Sequence, residues 1–571
     1  MVFKIKTLQK KEKIILSFIL IFLLALLLFP DLTIRVKSFV FLVVYAVIVI
    51  YKHNSQLKLN YFSNVKDQTV GLVLFILVIL FQNRLLNFEI ISIDVPSYLV
   101  ASQGVSFNSL PFENQWESKG PVFIYLYKLL ITLSSKNLVF FKILNDCLLF
   151  LITYFIYKIS SYVSENKLVA SMSALFFILV TSYEWYVTEL TEVYCLVLLS
   201  IHYFVITKYE LNNKVIFIAA LLISFTSLIN QSTAIFIIGL FVAIINNKKS
   251  LKDLRMLTYL FAGFGLPHIF FLLVYFFNGL LSVYLTNYIK IPFGYVSSGK
   301  FEVYELIVWL RRYFQYSEFL YYSILAISIM FFIGILKKRF KFEKTLLINL
   351  VYLFLGFSIY VIAGHNYQHH LFYSIFFLSI FISQLDTDFS TVIILFLLVI
   401  SFTQIMSYSA QPSFNNLINP IETQNNYPLK QLADEIDSLF VNKEYDVLAV
   451  DHVLLLFYLE KDNLNYIVHP YNNFEKYIVD SLIDTNLLKT NENNHLSYYI
   501  ELEPDIIICA PQTIVDGSPT KLGNDIFNCE ITDYKKNYFK LDTEKYLNNP
   551  NREYYYDPYI SIDVFIKQFE D

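Results

Sequence analysis

The sequence predicts a polytopic α-helical membrane protein that ends in a small soluble α/β domain. The 571-residue chain is 56% hydrophobic and only 16% charged, with a mean hydropathy of +0.52, which lies outside the composition of an ordinary soluble domain. Apolar segments close to the length needed to cross a bilayer core recur from the N-terminus to about residue 406. Beyond that point the chain is more polar, and shorter helix-like and strand-like patterns alternate.

Apolar runs between charged or polar breaks predict about 11 to 13 membrane-spanning helices. The two short runs on either side of Asn230 and Gln231 are interpreted either as separate spans or as one broken, re-entrant unit. The predicted spans are residues 14–30, 36–51, 68–83, 138–157, 168–183, 190–207, 214–229, 232–246, 257–277, 319–336, 345–362, 371–384 and 390–407.

The distribution of Lys and Arg predicts the orientation of these spans, because loops retained in the cytoplasm carry an excess of basic residues. Basic residues cluster in one set of alternate segments, which are therefore predicted to be cytoplasmic: residues 4–13, 52–66, 248–255 and 337–344. The long segments 84–137 and 278–318 are poorer in basic residues and are predicted to be outer loops. The first span lacks a small-residue cleavage site and is interpreted as a retained anchor.

The chain is thus predicted to divide into a transmembrane domain, residues 1–407, and a soluble extracytoplasmic domain, residues 408–571. In the soluble part, LKQLADEIDSLF (429–440) has helical spacing, as does NFEKYIVDSLI (473–483). Three apolar runs are interpreted as buried strands of a small α/β fold: DVLAV (446–450), NYIVH (465–469) and DIIICA (505–510).

Cysteine usage and charge restrict the possible functions. Cys147 and Cys195 fall in apolar segments, where a thiol usually packs as a small hydrophobic group. Cys509 and Cys529 lie in the soluble part and could form a disulfide in an oxidising compartment. A net charge of −3 without a basic face gives no basis for a nucleic-acid partner.

The first outer loop carries a polar stretch, ISIDVPSYLVASQGVSFNSLPFENQWESKGP (91–121), within an otherwise apolar region. Asp94 precedes a predicted short helix, SYLVASQ, that ends at Gly104. Two interpretations stay open. Asp94 could cap this helix by accepting a hydrogen bond from the Ser97 amide, with Pro96 in the first turn. It could also act as a general base that takes a proton from an acceptor hydroxyl.

The same loop ends at Lys119, Gly120 and Pro121, and the apolar run that follows predicts a helix with proline in its first turn. A cation at a helix N-terminus opposes the positive end of the helix dipole unless an anion joins it. Lys119 together with free helix amides would bind a phosphate. The alternative is a solvated lysine at the membrane interface.

Two other outer segments could contact an anionic ligand. FEVYELIVWLRRYFQYSE (301–318) resembles an interfacial amphipathic helix, in which Arg311 and Arg312 would contact either that ligand or lipid headgroups. AGHNYQHHLFY (363–373) contains His365, His369 and His370. The spacing of His365 and His369 suits a metal pair, but no carboxylate lies nearby in sequence, so a hydrogen bond to phosphate or sugar, or a structural role, is preferred.

Charged residues near predicted spans are further candidates. Glu189 and Glu192 flank the outer end of the sixth span, where a carboxylate is costly and therefore either functional or able to reach the interface. Lys142 and Asp146 lie four residues apart in the fourth span. That spacing predicts a structural ion pair.

The motifs, taken in order, resemble those of GT-C glycosyltransferases related to protein O-mannosyltransferases and to bacterial aminoarabinose and lipopolysaccharide-core sugar transferases. LPFENQWESKGP (110–121) resembles their loop pattern Leu-Pro-aromatic followed by aromatic-acidic-x-Lys-Gly/Pro-Pro. SFTSLINQSTAIFII (224–238) resembles their Leu-x-Lys-Gln hairpin, and GFGLPHIFFLLVYFFNG (263–279) resembles their Gly-x-x-x-Pro span. AGHNYQHHLFY resembles their Gly-Arg-x-x-x-His-Tyr loop. The resemblance covers about residues 65–385.

This resemblance implies an inverting transfer of a sugar from a polyprenyl-phosphate carrier to a lipid, glycan or protein acceptor. The transfer would occur at the outer face of a bacterial cytoplasmic (inner) membrane, with the N-terminus of the chain in the cytoplasm. No cofactor is required, and no metal site is indicated. The implied catalytic base is Asp94, and the implied donor-phosphate or substrate-binding residues are Lys119, His369, Arg311, Arg312, Glu117, Glu192 and Gln231.

The sequence departs from the family pattern at three positions. Val95 stands where relatives often have a second carboxylate, Asn230 where they have Lys, and His365 where they have Arg. A transporter or lipid-sugar flippase is the main alternative, and it predicts repeats and ionisable residues at mid-membrane depth. A glycan polymerase or ligase predicts arginine-rich outer loops. The candidate residues cluster at one interface instead, which favours the glycosyltransferase.

Overall fold

A computed structural model provides the structure of the chain. It describes residues 65–82, 86, 88–90, 92–106, 108–182, 187–246, 254–298, 304, 344–362, 367–384, 416–441, 443–491, 495–509, 514, 515, 518, 519, 537–547 and 562–568.

The described part of residues 65–384 is helical. Its α-helices are α1 (Asp67–Gln82), α2 (Asp94–Gln103), α3 (Pro121–Leu133), α4 (Leu138–Ser164), α5 (Lys167–Thr181), α6 (Thr191–Lys208), α7 (Asn213–Ile229), α8 (Phe236–Asn246), α9 (Leu254–Phe277), α10 (Leu281–Leu285), α11 (Ile291–Ser298), α12 (Lys344–Ile362) and α13 (Phe372–Gln384). A π-helical turn, Thr286–Lys290, joins α10 to α11.

Four helices of the described part are long and apolar enough to cross a membrane: α4, α6, α9 and α12. Helices α1, α3, α5 and α7 are apolar but shorter, as is α8 together with the turn before it. Each predicted span that falls on described residues coincides with a helix, so the helical character of those segments is confirmed. The predicted spans 14–30, 36–51, 319–336 and 390–407 lie outside the described residues.

The helical unit around Asn230 is broken. Helix α7 ends at Ile229, and Asn230 is extended. The Asn230 side chain accepts a hydrogen bond from the Ser232 amide at 3.2 Å and so caps a 3₁₀ turn, Gln231–Ile235, which leads into α8. The side chain thereby satisfies an amide that the interruption leaves without a helical partner.

Lys142 and Asp146 do not form the predicted ion pair. Lys142 Nζ donates to the carbonyl oxygens of Phe88 and Glu89 in the loop before α2. Asp146 accepts a hydrogen bond from Thr188 Oγ1 at 3.1 Å. The one-turn spacing allows the two side chains to meet, but each finds a partner on a neighbouring segment of the fold.

The C-terminal region, meaning the described residues from 416 onward, is a small α/β unit. Its sheet has the strand order β1-β2-β6-β5, in which β1 and β2 are parallel and the other neighbours are antiparallel. Strands β3 and β4 form a separate pair. Its elements are α14 (Pro420–Asn425), α15 (Pro428–Leu439), β1 (Val447–Ala449), α16 (Leu454–Tyr458), α17 (Lys476–Asp484), α18 (His495–Glu501), β2 (Ile506–Cys509), β3 (Ile514–Val515), β4 (Ser518–Pro519), β5 (Tyr538–Lys540), α19 (Glu544–Leu547) and β6 (Asp563–Lys567).

The helices predicted at 429–440 and 473–483 and the strands predicted at 446–450 and 505–510 are confirmed as α15, α17, β1 and β2. NYIVH (465–469) is not a strand of this sheet. It is buried under the first outer loop, where Ile467 forms an isolated parallel bridge with Trp116. An apolar run indicates that a segment is buried but not what it packs against. The sequence pattern therefore did not distinguish a strand of the sheet from a segment packed against the first outer loop.

The bridge between the first outer loop and the C-terminal region consists of backbone hydrogen bonds. Trp116 N donates to Tyr466 O at 2.7 Å, and Val468 N donates to Trp116 O at 3.4 Å. Beside it, Gln115 and Asn463 exchange two hydrogen bonds, from Gln115 Nε2 to Asn463 O at 2.8 Å and from Asn463 N to Gln115 Oε1 at 3.2 Å. These contacts fix the register of the two segments.

A second attachment lies at the start of α15. Glu89, from the loop before α2, accepts hydrogen bonds from the Leu429 amide at 2.9 Å and the Lys430 amide at 3.1 Å. These amides belong to the first turn of α15, which has no other intrahelical acceptor for them. A carboxylate also suits the positive end of the helix dipole. Tyr427 Oη donates to Leu86 O at 2.6 Å next to it.

Cys509 is disulfide-bonded, whereas Cys147 and Cys195 are free thiols. Cys195 is buried and Cys147 is half-buried, as expected for thiols in apolar helices. Cys529, which the sequence pairs with Cys509 as one possibility, lies outside the described residues.

We expect Glu89→Ala to lower the free energy of unfolding by about 1–3 kcal/mol, because it leaves one buried and one partly buried amide without an acceptor. Glu89→Gln should cost less, since it keeps one acceptor oxygen. Urea unfolding of the purified chain in detergent, followed by tryptophan fluorescence, measures the difference because Trp116 is fully buried beside the C-terminal region. Glu422→Ala, at an exposed position of α14, is the control; an equal effect of both alanine variants would contradict this attachment.

Candidate active site

The Asp94 carboxylate is held by a histidine of the C-terminal region. Asp94 is the first residue of α2, and His469 Nε2 donates to Asp94 Oδ1 at 2.9 Å. The Asp94 side chain is 26% exposed and that of His469 is 9% exposed. The two residues are 375 positions apart in the sequence.

The interpretation of Asp94 as a helix cap is therefore wrong. The residue before the first helical position is Ile93, and the N-terminus of α2 has no side-chain cap. Ile93 itself has right-handed helical backbone angles, and among the described residues the Asp94 carboxylate accepts its hydrogen bond from His469 and none from the Ser97 amide. The predicted end of the helix is confirmed, since α2 stops at Gln103 and Gly104 follows.

The surroundings of Asp94 favour its ionised form. Burial opposes the charge, but the hydrogen bond from His469 and the positive charges of His469 and Lys119 outweigh it, and they hold the pKa of the Asp94 carboxyl well below its usual range. Burial likewise opposes the charged form of His469. The bond to Asp94 and the charges of Asp94 and Glu117 prevail, so the pKa of His469 is raised.

Lys119 is placed by a close approach between the first outer loop and the end of α7. Gly120 N donates to Ile229 O at 2.9 Å. A Cβ at position 120 would lie 2.0 Å from Leu228 O, so only glycine fits there. Pro121 then starts α3, as predicted, and Lys119 directly precedes Gly120, the residue that caps the N-terminus of this helix.

Lys119 has no acidic partner in the part of the chain that the structure describes. Its ammonium lies 5.8 Å from the centroid of the buried Tyr98 ring, a cation–π contact. The side chain is partly exposed rather than fully solvated. A half-buried cation at a helix N-terminus that forms no ion pair within the described residues suits an incoming anion.

Glu192 and two histidines form a third group of the site. Glu192 lies in the first turn of α6, and its Oε1 accepts a hydrogen bond from His370 Nδ1 at 3.0 Å. The His369 and His370 rings are 4.4 Å apart at their centroids. Burial is the main cause that lowers the pKa of His369 to about 4, so its ring is neutral at physiological pH.

These three side chains are the group within the described residues that could hold a metal ion. One ligand atom from each of Glu192, His369 and His370 lies within 4.8 Å of the others. Bonds of about 2.0–2.2 Å to a zinc ion would require the ligand atoms to move closer together. His365, which the sequence spacing pairs with His369, lies outside the described residues.

Several polar atoms of the first outer loop, of the turn after α7 and of the C-terminal region are buried and have no hydrogen-bond partner among the described residues. They are Trp116 Nε1, Glu117 Oε2, Gln231 Nε2 and His469 Nδ1. The other oxygen of Glu117 accepts hydrogen bonds from Ser118 N at 2.7 Å and Ser118 Oγ at 2.8 Å. Buried polar atoms are nearly always satisfied in proteins, so a polar ligand that reaches them would supply the missing partners.

The structure brings most of the predicted site residues together. The charge of Lys119 acts on Asp94 and Glu117, and the charges of Asp94 and Glu192 act on His369. Gln231 follows the α7 end that contacts Gly120. Arg311 and Arg312 lie outside the described residues.

The sequence did not point to His469 as a site residue. His469 ends an apolar run before Pro470, which is also typical of a structural histidine. Only the contact between the first outer loop and the C-terminal region brings it to Asp94. His370 was one of three histidines in a short loop, and its bond to Glu192 spans 178 positions.

We expect Gly120→Ala to lower the midpoint of thermal unfolding in detergent by several degrees, because the new Cβ would force α3 and the end of α7 apart. Gly265→Ala in α9 is the matched control, since its Cβ would meet nothing closer than 3.9 Å. A Gly120→Ala protein as stable as the Gly265→Ala protein would show that the two segments are not tightly packed.

No protein-family model and no curated protein sequence matches the chain. Among solved structures, it is similar to the crystal structure of ArnT from Cupriavidus metallidurans bound to undecaprenyl phosphate. The TM-score is 0.50 at 10% sequence identity, and the similarity covers 78% of this chain and 92% of that one. The expected GT-C fold is thereby confirmed: the chain has an ArnT-like helical membrane part and a small C-terminal sheet.

Proposed function

We propose that the chain is a membrane glycosyltransferase that moves a sugar from a polyprenyl-phosphate carrier to an acceptor hydroxyl. The observation that carries this proposal is the placement of an ionised carboxylate, Asp94, beside a lysine with no acidic partner among the described residues, Lys119, in an ArnT-like fold. The solved ArnT structure contains undecaprenyl phosphate, a ligand of the proposed carrier class. A carboxylate and a separate anion-binding cation are the two groups that this reaction needs.

In the proposed reaction the acceptor oxygen forms a bond to the anomeric carbon of the sugar as the bond from that carbon to the phosphate oxygen breaks. The electron pair of the broken bond leaves with polyprenyl phosphate, and the acceptor proton passes to the Asp94 carboxylate. A single displacement of this kind inverts the anomeric centre. The acceptor hydroxyl becomes strongly acidic as its new bond forms, so a carboxylate of low pKa is a sufficient base.

Lys119 would stabilise the charge that develops on the leaving phosphate. His369, Glu117, Glu192 and Gln231 would contact the phosphate or the sugar, and the buried unpaired atoms of Glu117 and Gln231 are available for hydrogen bonds. Arg311 and Arg312 are proposed as further contacts to the donor. Polyprenyl phosphate leaves as a stable anion, so the proposed reaction requires no cofactor.

We place this reaction at the outer face of a bacterial cytoplasmic membrane, with the N-terminus of the chain inside and residues 408–571 outside. The excess of Lys and Arg in the alternate segments supports this orientation. The disulfide at Cys509 also fits an extracytoplasmic region, where thiols oxidise. The acceptor is proposed to be a lipid, glycan or protein of the cell envelope.

The proposal predicts that Asp94→Asn lowers the rate of sugar transfer by about 10²- to 10⁴-fold, because the amide cannot accept the hydroxyl proton. The assay uses proteoliposomes with a panel of undecaprenyl-phosphate-linked hexoses and pentoses and an envelope extract as acceptor, and it measures released undecaprenyl phosphate. Asp434→Asn, at an exposed position of α15, is the control. Wild-type transfer by a correctly inserted Asp94→Asn protein would eliminate Asp94 as the base. Carrier flipping without any transferred sugar would instead favour the transporter.

Lys119→Gln should raise the KM for the lipid-linked donor by about 10- to 100-fold, because a charge-assisted contact to phosphate contributes about 1.5–3 kcal/mol. Lys136→Gln is the matched control. Lys136 is half-exposed and pairs with Glu460 at 2.7 Å. Direct binding of undecaprenyl phosphate to each variant in nanodiscs measures the same contact without turnover. Equal affinity of the Lys119→Gln and wild-type proteins would contradict a phosphate role for Lys119.

A further inference from the structure

We propose that His469 is a positioning residue for the Asp94 carboxylate, so that the C-terminal region completes the active site instead of only covering it. This inference rests on the proposed function, in which Asp94 accepts the proton. It goes beyond that function because it assigns a role in the reaction to a part of the chain that no sequence motif connects with catalysis.

The position of His469 is fixed from both sides. On its N-terminal side, the bridge of Ile467 to Trp116 and the hydrogen bond from Val468 N hold the backbone against the first outer loop. On its C-terminal side, Pro470 begins a 3₁₀ turn, and Asn473 Nδ2 donates back to His469 O at 3.4 Å. The imidazole therefore reaches Asp94 from an ordered and buried segment.

The hydrogen bond leaves one carboxylate oxygen available. His469 Nε2 occupies Oδ1 of Asp94, and within the described residues no hydrogen bond reaches Oδ2. A carboxylate anchored through one oxygen presents the other in a single direction, which is the requirement for a base that must meet an acceptor hydroxyl at about 2.6–3.2 Å. His469 Nδ1 is buried without a partner and could contact the same ligand.

The charges around the pair determine its pH dependence. His469 is faced by Asp94, Glu117 and Lys119, and Asp94 is faced by His469, Lys119 and His369. Burial alone would raise the pKa of Asp94, and His469 supplies the first of the opposing effects. Without His469, Asp94 therefore takes up its proton at higher pH. The acidic limb of the rate profile, where the base becomes protonated, should move upward in pH.

The experiment compares His469→Ala, His469→Gln and the wild-type chain in proteoliposomes, using the panel member of undecaprenyl-phosphate-linked sugars that supports turnover. His469→Ala should lower kcat by about 10- to 100-fold, with the donor KM changed less than two-fold, because a misplaced base slows the chemical step without weakening carrier binding. His469→Gln keeps a donor group and should recover part of kcat. The acidic limb should lie at higher pH in both variants.

His495→Gln is the matched control. His495 is also a buried histidine of the C-terminal region, and it pairs with Asn473 Oδ1 at 3.3 Å without contacting Asp94. This variant removes a contact to the turn that follows His469 without removing the bond to Asp94. The acidic limb of its rate profile should stay at the pH found for the wild-type chain. Thermal unfolding in detergent establishes that each variant is folded.

Three outcomes would overturn the inference. Unchanged kcat in His469→Ala would show that Asp94 needs no such partner. An equal loss of kcat in both His469 variants, with the acidic limb at the wild-type pH, would show a purely structural role. A shift of the acidic limb in His495→Gln as large as in the His469 variants would show the same. In these cases transfer by the wild-type chain and its loss in Asp94→Asn leave the proposed function intact. Absence of carrier-dependent transfer by the wild-type chain would overturn the proposed function, and this inference with it.

Discussion

The backbone pairing of Trp116 with residues 466–468 is the contact on which the candidate site depends. It joins the first outer loop to the C-terminal region through a pair of backbone hydrogen bonds. A second pair, between Gln115 and Asn463, lies beside it. Because the pairing fixes the register of both segments, it also fixes where His469 lies relative to Asp94. A shift of one residue would turn the imidazole away from the carboxylate.

A second constraint acts on the other side of the site. The interruption after α7 leaves polar backbone groups near the first outer loop, and two hydrogen bonds satisfy them. The Asn230 side chain caps the turn that follows, and the Ile229 carbonyl accepts a hydrogen bond from the Gly120 amide. The absence of a side chain at Gly120 lets the loop come this close. The broken helix is therefore part of the support of Lys119.

The parts of the fold that the sequence predicted depend on local patterns. Spans follow from runs of apolar residues, the end of α2 follows from Gly104, and the start of α3 follows from Pro121, because hydropathy and helix signals act within a few residues. The candidate site residues on the helical part could be selected for a related reason: Asp94 and Lys119 are polar residues in an apolar environment.

The predictions that were wrong, and the site residue that was missed, involve contacts between residues far apart in the sequence. Lys142 and Asp146 are well spaced for each other, but they bind the Phe88 carbonyl and Thr188, and neither segment is adjacent in sequence. NYIVH has the composition of a strand, yet its neighbour is an outer loop about 350 residues earlier in the chain. His469 could not be predicted for two reasons. Its place at the end of an apolar run is typical of a structural histidine, and its partner Asp94 is 375 residues away in the sequence. Such contacts are properties of the tertiary structure, and a single sequence contains no local signal for them.

Because Asp94 and His469 are far apart in the sequence, the segments that carry them are synthesised at different times. The helices around Asp94 emerge and enter the bilayer while the segment that carries His469 is still untranslated, since synthesis proceeds from the N-terminus. During that interval Asp94 lacks its hydrogen bond to the imidazole, and the outer loop lacks the bridge partner of Trp116. Insertion and assembly of the site are thus separate steps. In a chain that stops before residue 469, the Asp94 carboxylate has no histidine to hold it.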